Sequence, residues 1–303
     1  MTASPAPAPL NEDTPAGFAY GVSAYMLWGF LPIYMKWLSH VPPLEVVAHR
    51  VLWSLPVALI VVFASGRTAD LRAALRTPSM LRMAVVTAGL VSLNWGVYVW
   101  AIVTDRALDA ALGYYINPLF SIFLGAVLLK ERLAPRQWAA IALAALAVAI
   151  LTAETGRLPV AALALMLTWG FYAFFRKTLP IGPNQGFALE VMLLTPPALA
   201  VMAWYVSTGT AHFAATAADT WLLIGTGAVT AIPLIVYGNA AKRLRLTTIG
   251  ILQYIAPTLI FLVAVFVFGE EMGRGRMIAF PLIWAALILY TSEVLRARRA
   301  RAR

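Results

Sequence analysis

Tyr115-Ile116-Asn117-Pro118 returns 139 positions later as Tyr254-Ile255-Ala256-Pro257. Each copy sits inside a long uncharged stretch, the first bounded by Asp109 and Lys130, the second by Arg245 and Glu270. Around this pair the same offset recurs. Val97-Tyr98 maps to Val236-Tyr237 and Glu131 to Glu270, again 139 apart; Trp28-Gly29-Phe30 maps to Trp169-Gly170-Phe171 and Pro56 to Pro197, 141 apart. Isolated dipeptide matches arise by chance, but a collinear series at one offset marks a duplication, and repeats should be sought before anything else is read.

Eight further stretches complete a set of ten. In the first half they run from Asp13 to Lys36, Arg50 to Arg67, Arg82 to Asp105 and Arg136 to Glu154. In the second they run from Arg157 to Arg176, Glu190 to Asp219, Asp219 to Lys242 and Arg276 to Glu293. Most are close to the roughly 20 residues that a helix needs to cross about 30 Å of hydrocarbon. The 303-residue chain is 61% hydrophobic and only 12% charged, against about 25% charged in soluble domains. Lipid leaves only helices or closed barrels as spanning structures. Barrel strands alternate over roughly 10 residues, and these runs are continuous and twice as long. The fold class expected is an all-α polytopic membrane protein of ten transmembrane helices. Five spans per half is an odd number, so the halves enter the membrane from opposite sides as inverted repeats. The divisions are 1–16, a Pro/Ala-rich cytoplasmic lead-in with no signal-peptide pattern; 17–155 and 156–294, the two five-helix repeats; and 295–303, a basic cytoplasmic tail.

The net charge is +10. Its distribution points to topology rather than to nucleic acid. With the N-terminus in the cytoplasm, Arg67, Arg72, Arg76 and Arg82, then Lys130, Arg132 and Arg136, then Lys242, Arg243 and Arg245 all fall inside, as does the arginine-rich tail. The outer loops hold only Arg106, Arg157, Arg274 and Arg276. This satisfies the positive-inside rule with both termini cytoplasmic, in a cell (inner) membrane. The tail suits anionic lipid headgroups. With no cysteine in the chain, thiolate chemistry and Cys-ligated metal are excluded.

The stretches Trp28-Gly29-Phe30 to Lys36, His49-Arg50-Val51-Leu52-Trp53-Ser54, Asn94-Trp95, Leu112 to Pro118, Arg243-Leu244-Arg245-Leu246 and Gln253 to Thr258 resemble the drug/metabolite transporter superfamily, in its EamA-type ten-helix branch. Within that branch the chain is most similar to the RarD proteins. The resemblance covers nearly the whole chain. It implies ten helices around a central cavity and movement of small organic solutes across the cell membrane.

The residues place candidate sites independently. Tyr114, Asn117 and Ser121 share one helical face, with Pro118 beside them; Gln253 and Pro257 repeat the device. A proline lacks an N–H and crowds the carbonyl four residues earlier, and proline-interrupted helices at matching positions of two halves point to a transporter site. Pro118 and Pro257 are therefore expected to break or gate their helices. Asn117 and Gln253 either line a cavity or bond to a neighbouring helix. Arg50 lies about 10 Å into its span; it either holds a substrate anion or snorkels and pairs with Glu45. His49 and its repeat mate Glu190 either exchange protons to couple transport or serve structure. Trp28, Trp95, Tyr98 and Tyr237 lie within spans, Asn94 shares a helix face with Tyr98, and the polar-aromatic stripes are expected to shape an amphipathic pocket, or to pack. The small residues from Ala139 to Ala149 allow close helix approach or dimerisation.

No nucleophile elbow, phosphate-binding loop or zinc helix is present, and His40, His49 and His212 lack ligand spacing. Neither catalytic residue, metal nor cofactor is expected. The reading is a secondary-active or facilitative carrier, exporting a small metabolite or drug-like compound by alternating access; the alternative is an accessory membrane subunit that transports nothing. The partners expected are a small-molecule substrate and lipid.

Labels at Arg67 and Lys242 are expected to react from the same side of the membrane. Reaction from opposite sides in a sidedness assay would overturn the inverted-repeat reading.

Overall fold

A computed structural model describes residues 14–128, 133–178, 180–241, 243–244 and 246–301. The expected repeat position Glu131 and the basic residues Lys130, Arg132, Lys242 and Arg245 lie outside the described residues, as does most of the 1–16 lead-in. Among the described residues the chain is helical with no strand. The first half contains α1 (Pro15–Trp37), α2 (Pro43–Ala64), α3 (Thr68–Arg76), α4 (Pro78–Val103), α5 (Ala107–Leu128) and α6 (Pro135–Thr155). The second contains α7 (Val160–Thr178), α8 (Pro183–Ser207), α9 (Ala217–Ala241), α10 (Leu246–Leu252), α11 (Ile255–Leu262), a π-turn (Val263–Val267) and α12 (Arg274–Arg301).

Local chemistry sets the boundaries. Prolines open α1, α2, α4, α6 and α8, a position where the missing N–H costs nothing and the fixed φ suits the helix. Thr14 caps α1 through its hydroxyl, which accepts the Gly17 N–H at 3.0 Å. Gly156 closes α6 with φ of 64°, which a glycine adopts without strain.

Eight helices are long and apolar enough to cross a membrane, and α7 and the α11–π-turn unit are shorter apolar helices. The expectation of ten alike spans needs two corrections. The ninth stretch is not one helix: α10 stops at Leu252 and α11 begins at Ile255. Pro257 is the cause, because it has no N–H to give to the carbonyl four residues earlier, that of Gln253, and its ring crowds that carbonyl. In α5, by contrast, the helix continues through Pro118, so the break expected there does not form. The turn before the two prolines differs: Gly250 precedes Pro257 where Ala111 stands in the first half, and glycine costs a helix about 1 kcal/mol relative to alanine. The second correction is α3, read from sequence as loop. Its Leu71 and Ala74 are buried at i, i+3, while Arg72 and Arg76 lie outward. At the C-terminal side α12 runs on to Arg301.

Packing follows the repeat. Helices α6 and α12, the last of each half, lie together, as do α2 and α8, the second of each. The α1–α9 contact has its exchanged counterpart in α7–α4, and α1–α11 in α7–α5. The Trp-Gly-Phe motif serves this last pair. A Cβ on Gly29 would collide with Leu259, and one on Gly170 with Phe120; Leu259 and Phe120 are themselves 139 residues apart. The alanine stripe of α6 (Ala140, Ala144, Ala147) is buried against α12, so it packs within the chain.

Polar bonds join the halves at one end. The Glu45 carboxylate, fully buried, accepts the His212 N–H at 2.7 Å, the Phe213 N–H at 3.2 Å and the His212 ring Nδ1 at 2.8 Å. His40 meets Asp219 at 2.7 Å, and the Tyr34 hydroxyl donates to the Leu222 carbonyl at 2.6 Å. Glu270 accepts the Ala107 and Leu108 N–H groups at the start of α5. Burial pushes the Glu270 carboxyl above its usual range, and those two N–H donors and Arg276 pull it back. At the other end the Thr14 N–H donates to the Arg243 carbonyl at 3.1 Å, and Arg136 approaches Glu293 at 3.6 Å.

Glu45→Ala removes a charged acceptor from two backbone N–H groups and is expected to cost about 2–4 kcal/mol. His212→Ala removes one bond only and is expected to cost less. Thermal unfolding of the purified variants checks the order.

Candidate functional site

Between the halves lies a cavity of about 140 Å³, the scale that accepts a single aromatic ring. Its walls come from α1, α2, α4, α5, α7, α9 and the broken α10–α11 segment. The lining reproduces the duplication. Trp28 faces the space with its counterpart Trp169, Tyr98 with Tyr237, Tyr114 with Gln253, and Asn117 with Ala256. Pro257 also lines it, so the helix break opens onto the cavity. Irregular backbone at membrane depth is tolerated where it lines such a space.

Of the residues singled out in the sequence, Trp28, Arg50, Asn94, Tyr98, Tyr114, Asn117, Tyr237, Gln253 and Pro257 are brought together here. Pro118, His49 and Glu190 do not line the cavity. His49 accepts the Trp53 indole N–H at 3.0 Å through Nδ1 and stacks 4.9 Å from Phe213. Glu190 accepts the Tyr172 hydroxyl at 3.2 Å and lies 3.4 Å from the Arg176 Nε. Each of this pair thus has its own partners, and neither is the other's.

Arg50 is the one charged residue among those lining the cavity, and it is only 3% exposed. It neither snorkels nor pairs with Glu45, whose oxygens are taken by the His212–Phe213 turn. Its Nε donates to Thr230 Oγ1 at 3.0 Å. That oxygen has a lone pair to offer because its own hydrogen goes to the Thr226 carbonyl at 2.7 Å. The guanidinium carbon lies 4.9 Å from the Trp95 ring centre, which draws the cation to the ring's negative face. Nη1 is buried and has no hydrogen-bond partner among the described residues.

Asn94 lines the cavity and also has protein partners. Its Nδ2 donates to the Leu165 carbonyl at 3.2 Å and to Thr168 Oγ1 at 2.8 Å, and its Oδ1 accepts the Tyr114 hydroxyl at 3.1 Å. It therefore ties α4 to α7 and fixes Tyr114. Two other lining groups retain unpartnered polar atoms: the Tyr98 hydroxyl and the Asn117 Oδ1.

The aromatic walls are contiguous. Tyr25, Trp28 and Tyr237 form a cluster with centroids 5.5–6.0 Å apart. On the opposite wall Tyr114 stands between Tyr98 at 6.1 Å and Trp169 at 6.5 Å. Sequence reasoning placed Trp95 inside its span without assigning it to the site, and passed over Trp169 and Tyr25 as site residues. Trp169 was within reach, because it is the offset partner of Trp28. Trp95 needed only its adjacency to Asn94. Tyr25 carries no comparable signal beyond lying three residues before Trp28.

Residues 15–153 match the family model described as "EamA-like transporter family". The chain is 40% identical to the protein named "Protein RarD" of Streptomyces exfoliatus, over 97% of this chain and 93% of that one. It is 39% identical to an "Uncharacterized transporter" of Vibrio cholerae serotype O1, over 97% of this chain and 99% of that one. A solved crystal structure 21% identical in sequence superposes with a TM-score of 0.61, covering 93% of this chain and 99% of the other; that likeness concerns the fold. On the cavity, the helical architecture and these relatives together, the chain belongs to the EamA-like transporter family, in the drug/metabolite transporter superfamily, close to the RarD proteins.

Proposed function

We propose that this membrane transporter is a carrier that moves a small organic solute by alternating access around the cavity, with the solute held between the two halves. The observation that supports it most is the lining itself: repeat-related residues meet across one polar-aromatic space into which a broken helix opens. Two inverted halves can exchange mirrored packings of similar energy, and a site on their interface is then reached from either side in turn. In the crossing the polar bonds at the Glu45 end and those at the Thr14 end would open alternately.

No ATP-binding motif occurs in the sequence, so the driving force is assigned to a solute gradient, alone or with a coupled ion. The distribution of basic residues supports both termini in the cytoplasm and the Glu45 end outside. Export is the direction assigned, on the resemblance to drug/metabolite carriers.

Purified protein in proteoliposomes is expected to show saturable, solute-selective flux. Asn117→Ala should insert and fold normally while its flux falls by roughly tenfold, the loss of one charge-assisted or buried hydrogen bond. Unchanged kinetics in that variant would place the site elsewhere, and absence of saturable flux across a broad metabolite panel would favour the accessory-subunit alternative. Asn94→Ala, which frees Tyr114 and unties α4 from α7, should lower both flux and the unfolding midpoint.

A further inference from the structure

We infer that the solute is a small organic monoanion whose carboxylate, or a group of like charge and shape, docks on Arg50; this rests on the carrier reading of the same cavity. A guanidinium within a membrane span costs several kcal/mol unless it is paired or faces water. Here it is 3% exposed, and no described carboxylate forms an ion pair with it. Neutral Thr230 takes Nε, and the Trp95 ring takes one face. These two contacts fix the plane of the fork, and Nη1 is buried with no hydrogen-bond partner among the described residues, in a side chain that lines the cavity. The planar fork of arginine matches a carboxylate.

The remaining groups define the rest of the solute. Arg50 lies against the Trp95 ring, and Trp28, Tyr98, Tyr114 and Tyr237 also line the cavity, so the body that follows the anion is flat or apolar. Tyr98 can donate or accept, and the Asn117 Oδ1 can only accept; a hydroxyl or N–H on the solute would satisfy it. The cavity offers a single fixed positive charge. One anionic group is neutralised by it, whereas a second would remain unpaired in a site shielded from water. Selectivity should therefore run from monoanion to neutral analogue to dianion.

The test uses the full-length protein in detergent and isothermal titration calorimetry. The probes are a set of single-ring and short-chain monocarboxylates, benzoate among them, each with its neutral amide, and phthalate as the dianion. Acids are expected to bind at least about tenfold tighter than their amides, the difference carried by one hydrogen-bonded charge pair. Phthalate is expected to be weaker than benzoate. R50Q should abolish the preference for acid over amide, and R50K should restore part of it, having the charge without the fork.

Equal affinity for acids and amides in the wild-type chain overturns the assignment, as does full acid binding in R50Q or no binding by any acid. The wild-type comparison requires no variant, so the result stands even if R50Q does not fold. Proteoliposome flux separates this inference from the reading beneath it. Saturable flux of neutral solutes without acid flux rejects the anion and keeps the carrier, whereas no flux of any solute removes both.

Discussion

Hydrocarbon offers no partner to a backbone N–H or C=O, and that single constraint organises this protein. It makes every span a helix, places prolines at helix starts where no N–H is missed, and permits irregular backbone only where protein or a cavity surrounds it. The interruption at Gln253–Tyr254 obeys it. Pro257 cannot donate to the Gln253 carbonyl, and the segment carrying that carbonyl borders the cavity. The location of the site and the location of the helix break are thus two results of one rule.

Charge follows the same logic. Glu45 is fully buried in the first turn of α2 and is surrounded by N–H donors from the facing turn. Arg50, five residues deeper, has a hydroxyl and a ring in place of a carboxylate. Two neighbouring ionic groups on one helix have therefore diverged in role. The first joins the halves at their rim, and the second projects its charge inward. Gly29 and Gly170 allow the α1–α11 and α7–α5 pairs to approach closely.

Much of this was legible in the sequence because the membrane compresses the possibilities. Continuous apolar runs define helices, and the offset series identifies matching positions in the halves. Trp28, Tyr98, Tyr114, Asn117, Tyr237 and Gln253, all singled out from sequence, line one cavity. What could not be read is what depends on side-chain partners across the fold. Nothing in the run from Glu45 to Arg50 tells that Glu45 turns to residues 212–213, or that Arg50 meets Thr230 from a segment 180 residues away. Asn94 and Asn117 look equivalent on paper, yet one is engaged by three partners and the other keeps an open oxygen. The unequal fate of Pro118 and Pro257 rests on neighbours as small as Ala111 and Gly250. The short α3 helix escaped notice because its apolar face is only Leu71 and Ala74.

The ring walls are duplicated, but the cation is not: at the offset of 141 residues, Arg50 corresponds to Val191, a fully buried apolar side chain. Trading the conformations of the two halves would preserve the aromatic lining and yet alter the depth at which the guanidinium stands. On the alternating-access reading proposed above, the two facing states would therefore be unequal in electrostatic energy, and the carrier would favour one resting orientation.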